Sequence, residues 1–431
     1  MAYLSKTYSQ DAGARKIFTV SAWVKRSKLG TNQDCVSAFR SSDGFQTDVI
    51  RFQSSDAFQF YAHTTNSSGN AQLTTNRLFR DVNSWYHIVV RVDTTQSTSS
   101  DRIRLYVNGE QETSFSTANY MSQNGEIVWG IGSGVSHQIG AVGGSNNFKG
   151  LMTHIHYCDG QSLAPTSFGS TDSTTGIWKP ITNPSVTYGT NGFFLNFEDS
   201  SNFGDDTSGN GNDYTLTTGT ITQTIDTPSN IFATLNPLQY TGATVPNHTF
   251  SNGNLSVSTT TTSGADSNVF GTLGVSQGKW YYEYKFTGGN TGMAAGWRGE
   301  DGDRMAYYSG NGYKYDESGS SAYGASYTTN DIIGVAADLD NGNLTFYKNG
   351  TSQGEITNAF TLADGQYYQP FLWDGSGSLY ITCDVNFGNG YFGTTAVSSA
   401  GTNAGIGTFE YDVPSGYKAL CTKNINAEEY S

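Results

Sequence analysis

Short runs in which apolar and polar residues alternate dominate the chain, and turn residues end almost every run. In the clearest case, residues 331–350, alternate positions from 333 to 339 are apolar, Asn341-Gly342 follows, and the alternation resumes at Leu344. An Asn-Gly pair supplies the positive φ angles that a type I′ turn requires. The pattern therefore predicts a β-hairpin with a type I′ turn.

Similar runs recur along the chain, for example IFTVSAWVKR at 17–26, WYHIVVRVD at 85–93 and KWYYEYKF at 279–286. Runs with helical spacing are nearly absent, and the apolar segments are short and bounded by Gly, Asn, Asp or Ser. The chain contains 52 Gly, 27 Tyr and 24 Phe residues but only 8 Pro residues. These counts are typical of aromatic strands joined by turns of small residues. We predict an all-β fold with very little helix. A length of 431 residues suits two domains.

Charge and hydropathy narrow the classes of partner. The net charge of -14 and a pI near 4.7 disfavour nucleic-acid binding, which depends on clustered Lys and Arg. The N-terminus lacks a continuous apolar signal segment, and no run of about 18 apolar residues could span a bilayer. We therefore expect no nucleic-acid partner and no membrane insertion.

The cysteines are few and scattered, at Cys35, Cys158, Cys383 and Cys421. None has the CxxC spacing of a zinc or redox motif. We expect free and mostly buried thiols.

The first part of the chain carries the segments FTVSAWVKR, WYHIVVRVD, LYVNGE and FKGLMTHIHYCDGQSLAPTSFG in this order. Over residues 1–170 it resembles the laminin-G-like domains, which are concanavalin A-type jelly rolls. The resemblance implies that Trp23 and Trp85 are core residues that face inward.

The second part carries GNLSVS, GKWYYEYKF, AAGWRGED, NDIIGVAADLDNGNLTFYKNG, YYQPFLW and VNFGNGYF. Over residues 250–395 it resembles SPRY domains, which are also concanavalin A-like sandwiches. We therefore expect two concanavalin A-like antiparallel β-sandwich (jelly-roll) domains in tandem. Their expected bounds are 1–240 and 241–396, followed by a C-terminal tail or strand at 397–431.

Between these parts the composition shifts towards Thr, Ser, Asn, Gly and Asp, and residues 171–240 form a bridge. Its one clear strand is GFFLNF, and DTSGNGNDYT resembles a loop that normally opens the laminin-G-like fold. We expect residues 192–217 to fold back onto the first domain.

The succession of laminin-G-like unit, bridge, SPRY unit and the ending PSGYKALCTKN resembles proteins of marine tailed bacteriophages. This resemblance implies a structural or adhesive component of the virion, a tail fibre or capsid appendage, that recognises host-surface glycans or proteins. Its partners would be other virion proteins, and it would form a homo-oligomer, expected to be a trimer. One alternative is a capsid decoration or head-fibre protein with a purely structural role, and another is a calcium-dependent lectin or glycan-degrading enzyme.

Catalytic motifs do not support an enzyme. Retaining glycosidases of concanavalin-like fold carry Glu-x-Asp-x-x-Glu on one strand, and no such run occurs. The Gly-x-Ser-x-Gly pattern occurs at 274–278 and 350–354, but neither copy lies between a strand and a helix, as a nucleophile elbow requires. We expect no catalytic activity.

The loop DDTSGNGND carries hard oxygen ligands around glycines, the chemistry that calcium prefers. Counted from the second aspartate, the spacing partly matches an EF-hand loop, but the twelfth position is Thr217 instead of Glu. The alternative is a loop that caps itself through Asx turns. A structural calcium is thus a candidate cofactor, and its candidate ligands are Asp205, Asp206, Ser208, Asn210, Asn212 and Asp213.

His154 and His156 stand two apart in a predicted strand, so both would point to one face. Two imidazoles on one face could bind a metal, but no third ligand can be assigned. Ordinary packing within the sheet is the alternative.

A tyrosine-rich segment beside small polar residues has the composition of a recognition surface. The alternative is that these rings are sandwich-core or cross-strand partners. The candidate ligand-binding residues are Tyr307, Tyr308, Tyr313, Tyr315, Trp297 and Trp373.

Overall fold

In a computed structural model the chain folds almost entirely into antiparallel β-sheets, which confirms the all-β prediction. The residues that the structure describes are 2–9, 15–40, 46–63, 70–130, 134–241, 248–259, 267–289, 293–300, 305–362, 365–374, 381–403 and 405–429. Among them lies a single α-helix, α1 (Thr422–Glu429). The chain divides into two compact units, Met1–Gln223 and Thr224–Ser431.

The first unit contains sixteen strands in the described residues. They are β1 (Tyr3–Thr7), β2 (Ile17–Arg26), β3 (Gln33–Arg40), β4 (Gln46–Phe52), β5 (Ala57–Ala62), β6 (Ala71–Leu78), β7 (Trp85–Asp93), β8 (Ile103–Val107), β9 (Glu110–Glu112), β10 (Phe115–Asn119), β11 (Ser136–Ile139), β12 (Gly150–Asp159), β13 (Gly169–Thr171), β14 (Trp178–Pro180), β15 (Phe193–Leu195) and β16 (Thr215–Thr218). Short 3₁₀ turns lie at Ser99–Asp101, Val128–Gly130 and Pro165–Ser167.

The second unit contains the remaining strands described. They are β17 (Leu235–Thr241), β18 (His248–Ser251), β19 (Ser256–Thr259), β20 (Ser267–Gly271), β21 (Lys279–Gly289), β22 (Met293–Gly299), β23 (Met305–Ser309), β24 (Tyr313–Asp316), β25 (Gly319–Ala322), β26 (Ile332–Asp338), β27 (Asn343–Lys348), β28 (Thr351–Ile356), β29 (Tyr368–Asp374), β30 (Ile381–Asn386), β31 (Tyr391–Phe392), β32 (Thr395–Ala396) and β33 (Lys418–Ala419). One 3₁₀ turn lies at Asn252–Asn254.

The first unit is a sandwich of two sheets. An eight-stranded sheet has the order β10-β6-β5-β4-β3-β11-β1-β16, and a six-stranded sheet has the order β15-β12-β2-β7-β8-β9. Because side chains alternate between the two faces of a strand, β2 contributes Phe18, Val20, Ala22 and Val24 to the core. The core lies between the two sheets.

The segment after residue 170 supplies strands to both sheets of the first unit. β15 pairs with β12, and β16 pairs with β1. The division between the units falls between Gln223 and Thr224, earlier than the boundary expected at 240. The reason is that residues 231–233 already bond to residues 420–422 of the second unit, and β17 then pairs with β20.

The second unit is also a sandwich. Its seven-stranded sheet has the order β17-β20-β29-β22-β23-β24-β25, and its eight-stranded sheet has the main order β18-β19-β30-β21-β26-β27-β28. β26 and β27 form the hairpin that the sequence predicts, and their pairing ends at Asp338 and Asn343.

The predicted type I′ turn of this hairpin is wrong. The connection between the two paired ends is four residues long, 339–342, and only Gly342 in it has a positive φ, 71°. The Asp338 carboxylate accepts hydrogen bonds from the backbone N–H groups of Asp340 and Asn341, at 3.1 and 3.2 Å. This side-chain cap stabilises a longer loop than the Asn-Gly pair alone indicates.

A buried carboxylate holds the C-terminal segment on the second unit. Glu283 is fully buried and accepts hydrogen bonds from the N–H groups of Glu410 and Tyr411, at 2.8 and 2.9 Å. Burial raises the pKa of Glu283 to about 7, although these N–H groups act in the opposite direction. After Tyr411 the chain forms β33, which pairs in parallel with β21, and then α1.

An additional layer covers the outer face of the six-stranded sheet in the first unit. Trp23 is buried but does not face the core, because its neighbours Ala22 and Val24 do. Its indole stacks on His87 at 4.6 Å between ring centroids, and the ring of Trp178 of β14 lies 5.9 Å from the same imidazole. The expectation that Trp23 faces inward is therefore wrong, since alternation places it on the opposite face.

Both nitrogens of His87 have hydrogen-bond partners. The Trp178 indole donates to His87 Nδ1 at 2.9 Å, and His87 Nε2 lies 2.8 Å from Ser21 Oγ. Because an indole N–H only donates, the single proton of neutral His87 is on Nε2. Burial, with a smaller effect of nearby His154, lowers the pKa of His87 to about 3.

The His154 and His156 pair is part of this outer layer. The ring of His156 stacks on Phe194 at 4.0 Å, and its Nδ1 lies 3.0 Å from the Tyr188 hydroxyl. A bulge between Thr153 and His156 interrupts the strand, and His154 has a φ of 47°. In the described part of the chain, no group of three or more His, Cys, Asp or Glu side chains is arranged to hold a metal.

All four cysteines are free and buried, which confirms that prediction. Within the described ranges, no helix has the length and apolar character needed to cross a membrane.

The stacked imidazole predicts how stability depends on pH. The folded-state pKa of His87, about 3, lies below its ordinary value of 6.5. Between these two pKa values, His87 takes up a proton in the unfolded chain but not in the folded chain. The free energy of unfolding therefore falls as pH decreases. Compared with a His87→Gln variant, the chain should lose about 1.4 kcal/mol of stability per pH unit between about pH 6 and 4. Hydrogen exchange of residues 85–93 measures this difference.

Glutamine suits this comparison because it does not titrate and can still accept from Trp178 and donate to Ser21. Comparison with the variant also removes the contribution of buried Asp48, whose pKa burial raises to about 8 and which acts with the opposite sign. A stability difference that does not change with pH would contradict the prediction.

Candidate functional site

The six aromatic candidates lie on the seven-stranded sheet of the second unit, and the structure separates them by face. Trp297 and Tyr308 are 0% exposed and belong to the core between the sheets. Burial raises the pKa of Tyr308 to about 12, and its hydroxyl donates to the Ala325 carbonyl. Trp297 and Tyr308 are therefore sandwich-core residues, as the alternative to ligand binding supposes.

Tyr307, Tyr315 and Trp373 lie together on the opposite face of the same sheet. The rings of Tyr307 and Tyr315 stack at 4.5 Å with an interplanar angle of 14°. Trp373 lies 5.0 Å from Tyr307 and 6.1 Å from Tyr315, again between ring centroids. Tyr315 and Trp373 are only partly buried, so parts of their surfaces reach solvent.

Three residues that sequence reasoning did not select complete this surface. Phe270 and Phe371 are buried beside Tyr307, and Met305 packs against the same cluster. The ring of Phe371 is 5.8 Å from that of Tyr307 and nearly perpendicular to it. We call the surface the outer aromatic face and define it by its six members, Phe270, Met305, Tyr307, Tyr315, Phe371 and Trp373.

Strand register assembles the outer aromatic face. Phe270 is paired with Phe371, Phe371 with Gly296, Gly296 with Tyr307, and Tyr307 with Tyr315. One row thus crosses five strands. Gly296 is required there, because a Cβ at this position would lie 1.8 Å from the Ala306 carbonyl oxygen. Its lack of a side chain lets the rings on either side approach one another.

Tyr313 is the remaining candidate, on the same strand as Tyr315. It is 45% exposed, which makes it one of the most exposed large side chains in the described residues. Flat aromatic rings offer contact area with few rotatable bonds, and their hydroxyl and indole N–H groups add hydrogen bonds. The outer aromatic face with Tyr313 beside it can therefore bind a ligand that has an apolar surface and polar edges.

The calcium candidates lie in the first unit, in a loop that is fixed to β15. The Asp206 carboxylate accepts four hydrogen bonds. Its donors are the N–H groups of Phe194, Ser208 and Asn212, at 2.8, 3.0 and 2.7 Å, and the Ser208 hydroxyl, at 2.9 Å. Asp213 Oδ1 accepts a bond from the N–H of Asp206 at 3.0 Å.

The amide side chains of the same loop bind backbone carbonyls. Asn210 Nδ2 donates to Gly189 and Gly192, at 2.7 and 2.9 Å, and Asn212 Nδ2 donates to Thr190 and Gly192, at 3.1 and 2.9 Å. These contacts and those of Asp206 match the self-capping alternative. The Asp205 carboxylate makes no hydrogen bond within the described residues. Calcium binding stays a prediction, and an ion would have to replace N–H donors at Asp206.

Family comparison agrees with this two-sandwich architecture. Residues 5–161 match the model described as "Concanavalin A-like lectin/glucanases superfamily", a laminin-G-type model, and residues 279–389 match the model of the SPRY domain. The chain carries a laminin-G-like domain and a SPRY domain in tandem. Five members of the outer aromatic face lie within the SPRY match, and Phe270 precedes it on a strand of the same sheet. The 205–213 loop follows the matched laminin-G-like segment. No curated protein matches the chain.

Solved structures are similar at low identity. The SPRY domain of human HERC1 is 17% identical, with a TM-score of 0.28, and the match covers 35% of this chain and 97% of that one. Stonustoxin is 18% identical at a TM-score of 0.27, with 36% and 27% covered. The heptameric SAP-like pentraxin from Limulus polyphemus is 17% identical at 0.26, with 38% and 72% covered. These likenesses carry no inference about function.

The contacts of Asp206 lead to a stability prediction. An Asp206→Ala variant should lower the free energy of unfolding of the first unit by about 2–4 kcal/mol, because three N–H donors and a hydroxyl lose a largely buried acceptor. Urea denaturation measures the loss. Asp205→Ala is the matched control and should change stability by less than about 0.5 kcal/mol. Equal effects of the two variants would contradict this assignment.

Proposed function

We propose that this protein is a non-catalytic binding protein that recognises ligands through the outer aromatic face of its SPRY domain. The observation that carries the proposal is the grouping of Tyr307, Tyr315 and Trp373 within 4.5 to 6.1 Å of one another, with two of the three partly exposed. A laminin-G-like and a SPRY domain in tandem fit a binding or adhesive role.

The ligand class follows from the chemistry of the face. Phe270, Phe371 and Met305 form an apolar base, while the Trp373 indole and the tyrosine hydroxyls supply polar groups at its margin. Sugar rings combine an apolar C–H face with hydroxyl groups, so they are complementary to such a surface. We propose surface glycans as the ligand, with a surface protein as the other candidate.

We further propose that the protein is a component of a phage virion, either a tail fibre or a capsid appendage. The support is the resemblance of the whole succession of segments to marine tailed-phage proteins. Many copies on one particle would raise the avidity of a weak site by roughly 10²–10⁴ without any new contact. A homotrimer suits that role. Antibody labelling of purified particles tests this part, and absence of the protein from particles would refute it.

Substitutions in the outer aromatic face test the binding proposal. Trp373→Ala and Tyr315→Ala should each weaken binding to bacterial surface polysaccharides at least tenfold, because each removes a large stacking surface, worth roughly 1–3 kcal/mol. Binding to immobilised polysaccharides measures the effect, with and without a chelator. Loss of binding in chelator would instead favour the calcium-dependent lectin.

Leu216→Ala is the matched control, since Leu216 is an exposed apolar residue of the first unit, 41% exposed. It should leave binding unchanged. If Trp373→Ala and Tyr315→Ala bind as well as the unmodified chain, the face is not the binding surface. Release of reducing sugars from the polysaccharides would refute the non-catalytic proposal.

A further inference from the structure

A cleft opens at one edge of the sandwich in the first unit. β9 is the last strand of the six-stranded sheet, and β10 is the last strand of the eight-stranded sheet. The chain crosses from one sheet to the other at Thr113 and Ser114, between these two strands. Because both sheets end here, a gap between them gives access to the edge of the core.

The cleft has a volume of about 280 Å³. Ile103 and Leu105 of β8, which belong to the core, form part of its wall, and Phe115 and Tyr120 are its partly buried aromatic residues. Clefts for drug-sized ligands begin at roughly 300 Å³. The volume of this cleft lies just below that bound, so it suits a smaller ligand, about the size of one ring.

Each charged side chain that lines the cleft has an ion-pair partner. Arg104 donates to Asp101 at 2.8 Å, and Arg77 lies 3.1 Å from the carboxylate of Glu112, which is buried. Each carboxylate therefore has an arginine partner, so the cleft does not favour a cation. Each arginine likewise has a carboxylate, and the chain carries a net charge of -14, so it does not favour an anion either.

Several polar residues at the cleft have no internal partner. In the described part of the chain, the side chains of Ser100, Gln111, Thr113 and Tyr120 make no hydrogen bond, although all four residues line the cleft. Three of them are hydroxyls and one is an amide, groups that both donate and accept. Such groups suit a neutral ligand with several hydroxyls.

We propose that this cleft binds a neutral, polyhydroxylated ring, a single saccharide unit. One face of the ring would lie against Leu105, Phe115 and Tyr120, and its hydroxyls would bond to uncommitted groups such as those of Thr113 and Tyr120. This site is distinct from the outer aromatic face, because it lies in the laminin-G-like unit and the face lies in the SPRY domain.

The test is an NMR titration of the full chain, labelled with ²H and ¹⁵N, with glucose, galactose, mannose and N-acetylglucosamine. Glucuronate and inorganic phosphate serve as anionic probes. At least one neutral sugar should shift the amide signals of residues 100–121 in a saturable way, with a dissociation constant of about 1–20 mM. The anions should shift them more weakly at the same concentration.

The double variant Thr113→Val and Tyr120→Phe removes two hydroxyls with little change in shape, so it should fold and should weaken sugar binding at least fivefold. No saturable shift at residues 100–121 up to about 50 mM sugar would overturn the proposal. So would unchanged affinity in the folded double variant, or stronger binding of either anion. Signals of residues 293–315 and 368–373 report separately on the outer aromatic face. The absence of binding at the cleft can therefore be told apart from the absence of binding at that face.

Discussion

Alternation of side chains between the two faces of a strand is the constraint on which the whole structure depends. Each unit must bury one face of each of its two large sheets, and this fixes the core positions of every strand. The odd and even positions cannot exchange without a shift in register. In the seven-stranded sheet this sends Tyr308 into the core and leaves its neighbour Tyr307 on the outer aromatic face.

Both units also carry apolar side chains on outer faces of their sheets. In the first unit the chain itself covers them, since Trp178 bonds to His87, which stacks on Trp23, and Phe168 and Tyr188 pack beside Phe194. In the second unit the rings of Tyr315 and Trp373 remain partly exposed at the margin of their cluster. An apolar face that the protein leaves partly uncovered is a natural place for a ligand.

The sequence predicts the all-β class, the β26–β27 hairpin and the free cysteines, because alternation and spacing are local signals. It cannot separate Tyr307 from Tyr308 as surface and core, because adjacent positions in an aromatic strand look alike until partner strands are known. It also cannot select Phe270 and Phe371, since they join Tyr307 only through the register of strands distant in sequence.

Polar loops set a second limit on prediction from sequence. The residues of a calcium loop and of a loop capped by its own Asx side chains are the same, and only geometry tells which donors or ions the oxygens meet. At Asp206 the oxygens meet N–H groups of Phe194, Ser208 and Asn212. At Asp338 a side-chain cap likewise changes the expected turn. In both places the carboxylate competes successfully for backbone donors.

The outer aromatic face should contact the ligand when the polysaccharide is bound. Hydroxyl-radical footprinting of the full chain, free and bound to a bacterial surface polysaccharide, measures this directly. Oxidation of Tyr315 and Trp373 should decrease on binding, while that of exposed Leu216 in the first unit should not change. Unchanged oxidation of Tyr315 and Trp373 in chain that is bound to the polysaccharide would contradict it.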